Sequence, residues 1–351
     1  MLFAKKKDYV GIDIGSSSIK LVQLKELKGG SFQLVKLGIA PLPAEAIVDN
    51  TLMDSSSIVE GVRGLMDSLK VKATDAACSI AGNSVIIRKI TVPAMSSEDL
   101  EDQIQWEAEQ YIPLDINDVN VDFQILPSDD MDSGRMSVLL VASKKDIISD
   151  YTRVFAEAGI SLSIMDVDAF ALQNIFEVNY DPSPEDVVAL INVGASMTNI
   201  NVVRGGVSLF TRDVQVGGGQ FSEDIQKQFA ISSAEAEQLK LSAGSQQNER
   251  LQGVMAKLID SFALEIRRSL EFYNTTASDG KIERIYLAGG AAKTSGLVEI
   301  LKERIGISVE IINPFKKVTV PEKEFAADQL REMGPVMAIA AGLATRRLGD
   351  K

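Results

Sequence analysis

Six residues near the start of the chain have the types and spacing to hold a polyphosphate. In YVGIDIGSSSIKLVQL, residues 9–24, an apolar run stops at a carboxylate, Asp13; Gly15, Ser16, Ser17 and Ser18 follow, and Lys20 opens the next apolar stretch. Small residues let the main chain come close to an anion, successive N–H groups make an oxyanion concavity, and serine hydroxyls add donors. Asp13, at a strand end, is suited to holding Mg²⁺ through water, because Mg²⁺ keeps several waters and takes few carboxylates. Lys20 adds a point charge for a phosphate. Taken alone, one Asp-x-Gly turn is most often only structural.

The pattern returns half a chain later. ALINVGASMTNINVVRGGVSLFTRDV, residues 189–214, runs from an apolar strand to Asn192, Val193 and Gly194, then through the small residues Ala195 and Ser196 into a second strand. A Gly-Gly corner and a third strand follow in both copies, at Gly29-Gly30 and at Gly205-Gly206. A duplicated three-strand unit predicts two similar lobes facing a cleft, with the two turns gripping a polyphosphate from both sides. A third glycine site, in ERIYLAGGAAKTSGLVEILKERIG, places Gly289 and Gly290 between a strand and a helix starting near Ser295. Such a pair lets a base or phosphate lie against the main chain, or is a plain strand-to-helix turn.

The elements around these turns are those of an ordinary globular chain. It has 351 residues, 45% hydrophobic and 24% charged, enough for two or three cores. The net charge of −13 argues against a nucleic-acid partner but not against a nucleotide held by backbone groups and a metal. There are no histidines, which removes Ser-His-Asp and Cys-His triads and histidine metal sites. The single cysteine, Cys78, allows no internal disulfide and reads as a small buried residue. No signal peptide and no long apolar segment are evident, so the expectation is a soluble chain; the basic start, MLFAKKK, reads as a frayed tail rather than a membrane contact.

Together these pieces resemble the actin-like ATPase superfamily, which includes actin, sugar kinases and the cell-division protein FtsA. DIGSSSIK looks like its first phosphate loop, with Asp13, Ser16 and Lys20 in the actin spacing; NVGASMTN looks like the second, with Asn192, Gly194, Ala195, Ser196 and Thr198; LAGGAAKTSG is similar to its adenosine motif, with Gly289, Gly290, Ala291 and Lys293. By the same resemblance TRDVQVGGGQFSEDIQKQF contributes Gly217 and Gly218, and SAEAEQLK contributes Glu237 and Lys240 near base and ribose. The implied cofactors are ATP and Mg²⁺.

Within that superfamily the chain is most similar to the FtsA-related PilM family of type IV pilus assembly. VPAMSSEDLEDQIQWEAEQYIPLDINDVNVDFQIL, MDVDAFAL, EIRRSLEFY and GPVMAIAAGLATRRL carry the likeness. It implies an α/β, two-lobed actin-like (ribonuclease H-like) fold with an FtsA-type 1C subdomain and a helix-rich 2B subdomain. The implied layout is subdomain 1A over 1–84 and 164–186, 1C over 85–163, 2A over 187–219 and 284–334, 2B over 220–283, and a C-terminal helix over 335–351 returning to 1A. Local signals agree: Ser96 or Ser97 caps a helix with Glu98 and Asp99 in its first turn, a helix over about 144–158 closes the 1C unit, and Leu258, Phe262, Ile266 and Leu270 share one helical face. The family further implies a cytoplasmic protein at the inner face of the inner membrane. It would bind the N-terminal cytoplasmic tail of PilN and contact other pilus-machine proteins, with homo-oligomerisation left open.

Two departures bear on chemistry. Asn192 stands where the superfamily has Asp, and the usual Thr-Thr-Asp is Met197-Thr198-Asn199, so slow or absent hydrolysis is expected in an otherwise intact pocket. Asp166 and Asp168 are the candidates for orienting a catalytic water, though helix N-capping is the preferred reading of both. Trp106 and Tyr111 are candidates for a partner groove beside 1C, with Trp106 equally readable as core. The leading class is a nucleotide-binding scaffold. An assembly-driving ATPase and an FtsA-like membrane-associated filament are the alternatives; a small-molecule kinase lacks an evident acceptor base.

Overall fold

The computed structural model describes residues 9–127, 134–243, 248–276 and 280–350. The basic tail and most of the polar loop PSDDMDSGR, both singled out in the sequence, lie outside the described residues.

The chain opens as an antiparallel meander of β1 (Tyr9–Ile14), β2 (Ser18–Glu26) and β3 (Phe32–Pro41). All six residues of β1 are buried, as a strand covered on both faces requires. A two-residue hairpin, β4 (Ile47–Val48) and β5 (Thr51–Leu52), leads to α1 (Ser55–Ser68), whose N-cap Asp54 accepts from the Ser57 amide. β6 (Asp75–Ile80) then pairs parallel to β1. Next come β7 (Val85–Pro93), α2 (Ser97–Glu109), β8 (Val119–Ile125), β9 (Arg135–Lys144) and α3 (Lys145–Ala158). β10 (Ser161–Val167) pairs parallel to β6, and α4 (Asp168–Asn179) crosses towards the second half.

That half repeats the plan. β11 (Val187–Val193), β12 (Thr198–Arg204) and β13 (Val207–Val214) form the second meander. α5 (Gly218–Phe229), α6 (Ser233–Ser242) and α7 (Glu249–Thr276) follow, then β14 (Arg284–Ala288), α8 (Leu297–Ile305) and β15 (Ser308–Ile311). The chain closes with α9 (Ala327–Met333) and α10 (Ala338–Thr345). The two large sheets have the same order, β3-β2-β1-β6-β10 and β13-β12-β11-β14-β15. The repeat read from two turns thus extends to whole five-stranded sheets.

α4 and α10 form the layer between the sheets. One buried cluster joins Leu172, Ile175 and Phe176 of α4 and Ala340 and Leu343 of α10 to Val22 and Leu34 of one sheet and Leu190 and Tyr286 of the other. The approach is close enough to demand glycine. A Cβ at Gly11 would lie 2.1 Å from the Ala340 carbonyl oxygen, and one at Gly342 would lie 1.7 Å from that of Ala171. On the outer face of the second sheet, Phe262, Ile266 and Leu270 of α7 are buried with α5 and α8; Leu258 packs there half-buried.

β7, β9 and β8 make a separate three-stranded sheet with its own core, in which Leu100, Ile104 and Ala108 of α2 cover Ile90, Val138 and Leu140. The expectation that the helix over 144–158 closes this unit is corrected by the packing. Tyr151, Val154 and Phe155 of α3 join Val62 and Leu65 of α1 and Val10 of β1 in the first-lobe core. Strand β10, which begins at Ser161, is likewise part of the first large sheet.

Candidate functional site

Each meander places its first turn at the same point of its sheet. In the first, Gly15 N–H donates to the Ser18 carbonyl at 3.1 Å; in the second, Gly194 N–H donates to that of Met197 at 2.9 Å. Asp13 pairs across the ladder with Lys20, and Asn192 pairs with Asn199. The Lys20 ammonium lies 3.2 Å from Asp13 Oδ2, both side chains being about nine-tenths buried. A Cβ at Gly15 would come within 2.7 Å of that ammonium. Ser16 is half-buried and Ser18 buried, while Ser17 and Ser196 stand exposed at the two turn tips. Thr198 is buried and donates its hydroxyl to the Val216 carbonyl at 2.7 Å.

The other glycine sites gather on the second turn. Gly218 and Gly219 N–H donate to the carbonyls of Gly194 and Ala195 at 2.8 and 2.7 Å, which sets the start of α5 against the turn. A Cβ at Gly217 would meet the Ala195 oxygen at 2.5 Å, and one at Gly289 (φ +90°) would meet that of Val193 at 2.3 Å. Gly218 faces Ala291, whose Cβ would lie 2.5 Å from a Cβ at 218. Gly290 begins the short turn that carries Lys293, which pairs with Glu332 at 3.3 Å. Lys240 is buried and committed: its ammonium donates to Glu237 Oε2 at 2.6 Å and to Gly218 O and Ser222 Oγ at 3.1 Å. It locks α6 onto the start of α5 and leaves Glu237 half-exposed.

Asp166 and Asp168 part company. Neither caps α4; the cap position is Val167, with no side-chain bond, which corrects the preferred reading. Asp166 lies 3.1 Å from Arg346 Nε and so anchors the segment after α10; burial still pushes its carboxyl upward against that cation. Asp168 accepts from Ser79 Oγ at 2.6 Å. Its pKa is pushed up to about 7, first by burial and then by the charge of Asp13, with Asp213 adding and Ser79 and Lys20 opposing. Asp168 therefore belongs to the Asp13 site and Asp166 does not. Cys78 is fully buried, as its sequence context suggested.

Sequence reasoning assigned no role to Asp213 and only noted Asn199. Asn199 accepts from Asn192 Nδ2 at 2.9 Å and donates to Asp213 Oδ1 at 2.8 Å. The available signal was a repeated spacing of seven, from Asp13 to Lys20 and from Asn192 to Asn199.

The donor set fits Mg²⁺ carried on a nucleotide. Among the described residues no three His, Cys, Asp or Glu converge as metal ligands. A metal held mainly by phosphates and water needs only one or two carboxylates, which Asp13 and its surroundings supply. On the partner side, Trp106 is 67% and Tyr111 40% exposed, which removes the core reading of Trp106. No helix among the described residues is long and apolar enough to cross a membrane.

Two like-built sheets, each with a small-residue turn after its first strand and joined through α4 and α10, define the actin-like ATPase fold. Residues 11–348 match the family described as type IV pilus assembly protein PilM, and the chain belongs to that family. A solved PilM–PilN type IV pilus biogenesis complex contains a chain 28% identical to this one, covering 97% of this chain and 98% of that one with a TM-score of 0.87. The cell-division protein FtsA of Bacillus subtilis (strain 168) is 25% identical over 264 residues, 67% of this chain but only 58% of that protein's length. A structure of MreB5 of Spiroplasma citri bound to ADP shares the fold, at 12% identity, 96% and 94% coverage and a TM-score of 0.54.

Proposed function

We propose that this protein is a Mg–ATP-binding scaffold of the type IV pilus machine that holds the N-terminal cytoplasmic tail of PilN. The observation that carries the reading is the match, over nearly the full length of both chains, to a protein solved in complex with PilN. Through PilN the chain sits peripherally at the inner face of the inner membrane, where it meets other pilus-machine proteins. The subdomain division set out from the sequence goes with this reading, with the three-stranded sheet and α2 as the heart of 1C and with α3 and the start of β10 moved to the first lobe.

The nucleotide reading rests on side-chain chemistry. The phosphates would lie between the two first turns, Mg²⁺ would be held through water by Asp13, and base and ribose would meet Glu237 and the Gly217–Gly218 and Gly289–Ala291 turns. Mg²⁺ supplies charge neutralisation at the phosphates. Asn192 offers hydrogen bonds but no charge, which favours a bound and slowly consumed nucleotide, and nucleotide state then sets the cleft and partner affinity. One observation favours the alternative of an active ATPase: a carboxyl with a pKa of about 7, that of Asp168, is suited to taking a proton from water. Turnover on the order of 10 per second, typical of efficient enzymes, would replace the scaffold reading with that one.

The test is a thermal shift with Mg–ATP, each variant read against its own nucleotide-free melting. Ligand at about 100 times its dissociation constant should stabilise the wild type by about 2.7 kcal/mol. Asp13→Ala should lose most of that shift; equal shifts would overturn the assignment of Asp13.

A further inference from the structure

Both oxygens of Asp213 are spent in an unusual way. Oδ1 accepts from Asn199 Nδ2 at 2.8 Å, and Oδ2 accepts from the backbone N–H of Gly82, in the first lobe, at 2.6 Å. Asn199 Oδ1 in turn accepts from Asn192 Nδ2 at 2.9 Å. The three side chains stand on one row across the second sheet, with Asn192 opposite Asn199 and Asn199 opposite Asp213.

An amide can face either way along such a row, but a carboxylate only accepts. Asp213 therefore forces Asn199 to turn its nitrogen towards β13 and its oxygen towards β11. Asn192 must then turn its nitrogen to Asn199, so its oxygen faces away from the row; a Cβ at Gly289 would lie 2.7 Å from it. Reversal of both amides would satisfy the same pair of asparagines and present an NH₂ there instead. Metal-bound waters donate hydrogen bonds, so the direction decides whether Asn192 supports or repels them.

Gly82 makes the other half of the contact. Its φ is +62°, and a Cβ there would meet Asn50 Nδ2 at 2.2 Å and Met197 Cε at 2.6 Å. Only glycine lets this backbone N–H reach the second lobe, where it supplies a donor that cannot be reversed.

We propose that Asp213 is a positioning residue for the nucleotide-bound metal: it fixes the polarity of the Asn199–Asn192 pair so that Asn192 presents an oxygen to the metal's water shell, and it ties that pair to the first lobe at Gly82. The inference rests on the Mg–nucleotide reading above. It explains how an uncharged residue at 192 serves where a carboxylate would otherwise be needed: the charge sits two strands away and dictates direction.

The test is calorimetric titration of the full chain with a non-hydrolysable ATP analogue, with Mg²⁺ and with EDTA. In Asp213→Asn the introduced amide must give its oxygen to Gly82 N–H and its nitrogen to Asn199, which reverses the row. Affinity in Mg²⁺ should fall roughly 10- to 100-fold while affinity in EDTA stays unchanged. The exchange Asn192→Asp with Asp213→Asn keeps the net charge and every hydrogen bond and again presents an oxygen at 192, so it should restore the Mg²⁺-dependent affinity. Asn192→Asp alone should not serve as well, because Asn199 would then turn its oxygen to one of two carboxylates. Wild-type Mg²⁺ dependence in Asp213→Asn, or an exchange variant no better than that single change, would overturn the proposal. A wild type that binds no Mg–nucleotide would overturn the reading beneath it.

Discussion

Asp168 links the charge pattern of the site to a measurable property of the fold. Burial and then the neighbouring charge of Asp13 disfavour its ionised form and push the carboxyl up to about 7, from an ordinary value of 3.8. The native state therefore holds a proton that the unfolded chain releases between these values, and stability falls as pH rises from about 4 to about 7. Below that window both states are protonated and the effect vanishes. Asp168→Asn keeps an acceptor for Ser79 and removes the cost. It should match the wild type near pH 4 and grow progressively more stable than it up to pH 8 in urea melts. A constant difference across that range would show that Asp168 is ionised throughout. Legibility at this scale divided by distance along the chain. Asp13 and Lys20 stand in one turn and announce themselves, whereas Asp213 acquires its role only through the β12–β13 register and Gly82, 131 residues away. Asp166 and Asp168 looked alike in sequence, and only Arg346 and Ser79 tell them apart.

At the level of elements, α2 carries the proposed partner face. Its apolar stripe is buried on the three-stranded sheet, while Trp106 projects from its solvent side. Exposed aromatics of this kind anchor interfaces. Trp106 is the chain's single tryptophan, so its emission reports this face alone. A synthetic PilN N-terminal tail should shift that emission to the blue. Trp106→Ala should weaken binding about 10-fold or more, as hot-spot truncations of about 2 kcal/mol do. Unchanged emission at saturation, with unchanged affinity in the variant, would place the peptide elsewhere. The start of α2 was legible because its signal is local: Ser96 accepts from the Asp99 amide at 3.1 Å, as capping chemistry requires. α3 was assigned to the wrong core because its amphipathic face shows that it is covered but not by what. Its partners, α1 and β1, lie more than 75 residues earlier in the chain.

For the whole molecule, the repeat of the two meanders was enough to foresee two lobes, since each needs the same small-residue turn and the same Gly-Gly corner. The middle layer was not foreseeable from periodicity, because α10 is apolar all round and its closest approaches to α4 and β1 are at Gly342 and Gly11. This layer packs both sheets on one shared core, and on the proposed reading α4, α10 and the Asp213–Gly82 contact are the connections through which a bound nucleotide would act on the first lobe. Coupling between two ligands is reciprocal in free energy, so a nucleotide that alters PilN affinity is itself held more or less tightly by PilN. The central claim, a scaffold whose partner affinity is set by nucleotide, is tested most directly by titrating the PilN tail peptide into the full chain without nucleotide, with Mg–ADP and with Mg–ATP. The account predicts that the peptide dissociation constant differs between these states by about 5-fold or more, a coupling of about 1 kcal/mol, with the ATP recovered intact; identical peptide affinity in all three states, with nucleotide bound, would contradict it.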